Sequence, residues 1–267
     1  MKKNTHTVEF LYQLGALIVI TIIIHASYAS MIRPRADAHL KMERELMQQD
    51  EGYIQERNFF VLIRDYEQEA CFILAFWALA IIVYKGSVTI GECKLMQESL
   101  IPLDEGMRIL PEDSRELSRR LEAFPEGKKQ ALLPRALLAA LHRFDSARNI
   151  QDVARAAHTI CESEGERLES ELSMIRYIAW AIPSVGFIGT VRGIGEALGY
   201  AHTARTMGDM SFITQSLGVA FNSTLIALLI SIVLMFVVHQ LQLLQERYVL
   251  DAEAYCEENL IRHLHTR

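Results

Sequence analysis

The sequence predicts an all-α integral membrane protein with four transmembrane helices and a helical domain outside the membrane. Three observations carry that prediction. The 267-residue chain is 51% hydrophobic yet 22% charged, a mixture that suits several spans joined to a charged soluble portion. Four stretches stay apolar for about the 20 residues that a helix needs to cross a ~30 Å hydrocarbon core. No run alternates as a strand would, so the polar portions are expected to be helical.

The same composition excludes several functions. A net charge of −6 argues against a nucleic-acid binder. The four cysteines, Cys71, Cys93, Cys161 and Cys256, have no CxxC spacing and read as small apolar residues, neither a zinc site nor a disulfide framework. The histidines show no metal-ligand spacing, and there is no Walker A motif or nucleophile elbow. No metal, no cofactor and no enzymatic activity are expected.

Taken in order, residues 1–9 form a short basic start and residues 10–32 the first span, broken only by Gln13 and His25. Lys2, Lys3 and the small residues around Ala26–Ala29 also resemble a cleavable signal. A retained helix is favoured because the apolar run continues through Met31 and Ile32. Pro34 is expected to mark the exit from the first span. Residues 33–69 are polar with recurring Leu40, Leu46, Ile54, Phe59 and Phe60, which suggests amphipathic helices at the membrane surface. Residues 70–88 form the second span, with Tyr84 and Lys85 as an interfacial anchor. Residues 89–176 are punctuated by Pro102, Pro111, Pro125 and Pro134 into short helices. Asn149 is a plausible N-cap for a helix running unbroken into the third span, with Glu162, Glu164, Glu166, Glu169 and Glu171 on its exposed side. The third span covers 177–200, a polar turn 201–211, the fourth span 212–239, and an amphipathic C-terminal helix 240–267. Residues 89–176 carry about twice as many lysines and arginines as 33–69, which puts both termini and residues 89–176 in the cytoplasm.

The third span is unusual. Gly186, Gly189 and Gly193 step by three and four and share one face, the pattern by which membrane helices approach closely. Pro183 is expected to kink the helix. Arg192 and Glu196, four apart, form either a self-neutralising pair near the interface or the outer mouth of a polar path. In the fourth span, Ala220, Thr224, Ala227 and Ser231 share a face, with Asn222 and Ser223 beside it. Either Thr190 or Thr224 alone reads as a hydroxyl bonded to its own preceding turn. Polar faces on both helices of one hairpin point further. In a ring of copies, Thr190, Thr224, Asn222, Ser223 and Ser231 would line a central path. Proton transfer at depth needs a titratable group, and the fourth span has none, so a carboxylate would have to come from another subunit.

The segment GFIGTVRGIGEAL resembles the glycine-rich third span of the MotA/TolQ/ExbB proton-channel family, and LGVAFNSTLIALLISI resembles that family's last span. The resemblance covers about residues 150–245, with Val219 where a glutamate is common and Arg192 where a tryptophan is common. It implies a homopentamer in the bacterial inner membrane. The ring would surround two copies of a single-span MotB/TolR/ExbD-like partner whose aspartate lies near Thr190 and Thr224. Ion flow, of protons or sodium, would then drive mechanical work on the cell envelope. A passive membrane scaffold without ion flow is the alternative reading.

Overall fold

The computed structural model describes residues 3–49, 58–96, 100–101, 108–207 and 210–265. Among them every regular element is helical, and the one β-bridge, Ile109 to Leu264, stands alone. Four helices among the described residues are long and apolar enough to cross a membrane. The chain divides into two compact units, one of residues 1–82 and 174–238, the other of 83–173 and 239–267.

The first unit holds the apolar spans. Helix α1 (Lys3–Ser27) passes through a π-turn (Tyr28–Ile32) into α2 (Arg33–Gln49). The helix therefore continues through Pro34, the residue expected at the exit from the first span. The Arg33 N–H reaches back to the Tyr28 carbonyl in the wider turn, and Pro34 follows at the second position of α2. Part of the polar stretch 33–69 is thus a direct continuation of the first span. Its residues 50–57, including Ile54, lie outside the described residues.

A short α3 (Phe59–Leu62), capped by the Asn58 side chain on the Phe60 N–H at 2.8 Å, leads to α4 (Tyr66–Met96). Trp77 Nε1 donates to the Gln13 carbonyl at 2.9 Å, tying α4 to α1. Ala75, Ala78 and Ile81 of α4 are buried, whereas Phe10, Ile22, Phe187, Val191, Phe221 and Ile232 face outward, as side chains bathed in lipid should. Tyr28, Ile32, Ile63 and Ile226 form a small apolar cluster.

The second unit has an ordinary large-residue core. Helices α5 (Ser114–Glu122), α6 (Glu126–Lys129) and α7 (Leu132–Ala147) pack with parts of α8 (Ile150–Met207) and α9 (Ser211–Asn259). A 3-10 turn (Ile261–His263) follows α9. Leu132, Leu133, Leu137, Leu141 and Phe144 are essentially inaccessible. Pro134 does not break the chain here, because it stands in the first turn of α7. Tyr248 of α9 binds this core to its neighbours. Its hydroxyl donates to Glu92 and accepts the Leu132 N–H at 3.2 Å, one of the amides that a helix start leaves open.

Asn149 caps α8, accepting the Gln151 N–H at 3.0 Å, and the helix runs unbroken from Ile150 to Met207. One expectation along it fails. Glu164 is buried, not exposed, because it continues the inward stripe of Val153, Ala157, Cys161, Leu168 and Leu172. Arg135 donates to it at 3.0 Å and Arg167 also pairs with it, which supplies the charge that a buried carboxylate requires. Lys85, expected as an interfacial anchor, is likewise buried and donates to Glu171 at 2.8 Å. The expected turn 201–211 is shorter than the sequence suggested, since α8 persists to Met207 and α9 begins at Ser211. Asp209 and the side chains of His202 and Arg205 lie outside the described residues.

Candidate functional site

The site grows from the closeness of α8 and α9 within the first unit. A Cβ on Gly193 would lie 2.6 Å from the Ser216 carbonyl oxygen and 2.8 Å from the Ala220 nitrogen. On Gly186 it would meet the Ala227 Cβ at 2.4 Å, and on Gly189 the Ser223 Cβ at 2.6 Å. Only glycine lets the backbones come this near, which is how helices associate where lipid removes the hydrophobic gain. Ala220 and Ala227, on the facing side of α9, are buried.

At this contact the two threonines meet. The Thr190 and Thr224 hydroxyls are hydrogen-bonded to each other. Thr190 also bonds to the Ala220 carbonyl at 3.1 Å and Thr224 to the Gly186 carbonyl at 3.2 Å, so each hydroxyl reaches across to the other helix. Neither residue is fully buried. A hydroxyl both donates and accepts, so this pair can exchange partners with a passing water or hydrated ion.

Two turns beyond Thr224 along α9, Ser231 donates to the Ala179 carbonyl at 3.2 Å. That carbonyl is the acceptor four residues before Pro183, which has no N–H to give it. The serine thus supplies the hydrogen bond that the proline removes, the kind of repair a proline inside a span requires. Ser223 is buried and donates to the Val219 carbonyl at 2.8 Å. Asn222 does not join this face. It lines a groove with Phe59, Leu62, Gly218 and Leu225.

Arg192 and Glu196 form the pair that their spacing predicted, at 3.0 Å. The closer partner of Arg192 escaped the sequence. Its Nε and a terminal nitrogen donate to the two oxygens of Glu67 at 2.6 and 2.8 Å, a bidentate bond between α8 and α4. Gly189 makes this possible, because a Cβ there would stand 3.1 Å from the Glu67 Cγ. Two positions along, Glu69 is buried, accepts from Arg33, and lies 2.7 Å from His25 Nδ1. The residues at the start of α4 therefore carry a paired polar cluster. No local pattern marks it, since its partners lie far away in sequence.

These features define a class: a multi-pass helical membrane protein whose last two spans form a glycine-packed hairpin joined by paired hydroxyls. Residues 128–254 match the family model described as the MotA/TolQ/ExbB proton channel family. No curated protein and no solved structure matches the chain.

Proposed function

We propose that this chain is the ion-conducting subunit, for protons in the first instance, of an envelope energy transducer. The α8–α9 hairpin would line the path, with Thr190 and Thr224 at its polar waist and Ser223 and Ser231 on the same side. Glu67 would hold Arg192 at the outer mouth beside Glu196. Copies of the chain would form a homopentamer around two copies of a single-span partner whose aspartate carries the proton. Ion flow would then do mechanical work on the envelope without any catalysis by the chain itself. In this reading the protein lies in the bacterial inner membrane with both termini and the second unit in the cytoplasm.

The observation that carries the reading is the direct hydroxyl pair between Thr190 and Thr224, within a domain of a proton-channel family. Native mass spectrometry of the complex, purified with its neighbouring genes co-expressed, tests the assembly. Five copies with two copies of an aspartate-bearing single-span protein are expected. A monomer, or a ring with no such partner, would count against it.

A second reading has an observation of its own. The two threonines also satisfy each other and nearby carbonyls, as a purely adhesive contact would. A passive scaffold therefore remains the competing account. It requires that replacing either threonine by valine either breaks assembly or changes nothing.

A further inference from the structure

Among the described residues, a buried polar atom on the α4 side of the hairpin lacks a hydrogen-bond partner. Gln68 is fully buried. Its Nε2 donates to the Leu62 carbonyl at 3.2 Å and comes within 3.5 Å of Ser223 Oγ. Its Oε1 has no hydrogen-bond partner among the described residues. The amide orientation follows from its neighbours, because turning it over would set its oxygen against the Leu62 carbonyl oxygen. A buried amide oxygen is a strong acceptor, and leaving it unpaired in a low-dielectric interior is unfavourable.

The chemistry of a guest follows from what remains unused. Ser223 has spent its single hydrogen on the Val219 carbonyl, so its oxygen can only accept. Gln68 has turned its donor side to Leu62 and Ser223. The free capacity is therefore acceptor only, on Gln68 Oε1 and Ser223 Oγ. Such a site takes a small molecule with hydrogens to give. Gly189 stands beside the same spot, where a Cβ would lie 2.7 Å from Ser223 Oγ and 3.1 Å from the Glu67 Cγ. The absence of a side chain on α8 thus lets α4, α8 and α9 bring these polar groups close together.

We propose that Gln68 and Ser223 hold one buried water molecule between α4 and α9, donating to the Gln68 carboxamide oxygen and to the Ser223 hydroxyl. Buried waters occupy such polar sites with two to four partners. This water sits one residue from Thr224 along α9 and near Gly189, one residue from Thr190 along α8. It would give the hydroxyl pair a hydrated neighbour within the unit. The site stands whether or not the hairpin conducts ions, because its occupant can be seen directly.

The test is an electron cryo-microscopy map of the intact membrane complex at a resolution that shows ordered water. Wild type and Gln68→Met would be imaged in sodium buffer and in choline buffer. A peak within hydrogen-bond distance of Gln68 Oε1 and Ser223 Oγ is expected in wild type in both buffers, and its loss in Gln68→Met. Should the methionine variant fail to assemble, Ser223→Ala removes one of the two acceptors and should weaken the peak. Three results would overturn the proposal: no peak in wild type, a peak that appears only with sodium, or a Gln68 Oε1 that accepts from a protein group of a neighbouring chain.

Discussion

Helices α8 and α9 contribute to both units, and they pack by opposite means in each. In the first unit they meet through Gly186, Gly189 and Gly193 against Ala220, Ser223 and Ala227, with hydroxyls bonded across. In the second they bury Val153, Ala157, Cys161 and Leu168 on one helix and Tyr248, Ala252 and Cys256 on the other, around the large core of α7. The difference follows from the solvent. In water, burying apolar area is itself favourable, by roughly 25 cal/mol per Å², so large side chains serve. In lipid that gain vanishes, and association rests on close backbone contact and polar bonds. The same two helices thus carry a core along one part and a site along the other.

The largest effect should come from hollowing the large-residue core of the second unit. Leu137→Ala removes a side chain that is wholly buried, and should cost about 2–5 kcal/mol in thermal or denaturant unfolding of the purified protein. A cost under about 1 kcal/mol would mean that the core tolerates loss as a surface does. Next comes the opposite manipulation, adding a methyl to each part of α8. Gly193→Ala should cost about 1–3 kcal/mol, because backbone atoms that cannot move aside stand 2.6 and 2.8 Å from the new carbon. Gly165→Ala, whose nearest neighbour would be Val249 at 3.9 Å, should stabilise by about 0.5–1 kcal/mol through helix propensity. Equal responses at the two glycines would erase the distinction between the regions.

A smaller effect isolates the polar repair in the span. Ser231→Ala should cost about 1 kcal/mol, by leaving the Ala179 carbonyl without a donor. In a Pro183→Ala background the helix itself supplies that donor, so the serine's contribution should fall away in a double-mutant cycle. Additive costs would show that the serine and the proline are independent.

The smallest effect concerns the exposed bond between the same two helices in the second unit. His158 Nδ1 lies 2.8 Å from Glu253, and that hydrogen bond, followed by the carboxylate's charge, raises the histidine pKa above its ordinary value. The sign follows: the contribution is fully present below the ordinary histidine value of about 6.5 and is lost as pH rises through the raised folded value. Both side chains are well exposed, so His158→Ala should change stability by less than about 1 kcal/mol, and only at the acidic side. A larger or pH-independent loss would show that the ring matters for packing.

Much of this arrangement could be read from residue spacing. The small-residue faces of both hairpin helices, the cap at Asn149 and the long α8 are local patterns, and periodicity reports local patterns well. What stayed hidden depends on distant partners. Glu67 is 125 positions from Arg192, so only the i,i+4 partner Glu196 was visible. Glu164 looked like one acid among several until Arg135 came to meet it in the core. The π-turn just before Pro34 cannot be foreseen from composition. Asn222 and Ser223 are neighbours in sequence and so fall about 100° apart around a helix, which sends one to a groove and the other to the hairpin contact.

The central claim is that the Thr190–Thr224 pair serves ion passage. The direct measurement is proton flux into proteoliposomes carrying the purified complex, with wild type compared with Thr190→Val and Thr224→Val. Native mass spectrometry of the same samples would verify that the rings are intact. The account predicts that flux falls at least about tenfold in each variant, the loss of about 1.4 kcal/mol of stabilisation of the moving ion, while the assembly is unchanged. Undiminished flux in intact valine rings would contradict it and leave the threonines as adhesive contacts.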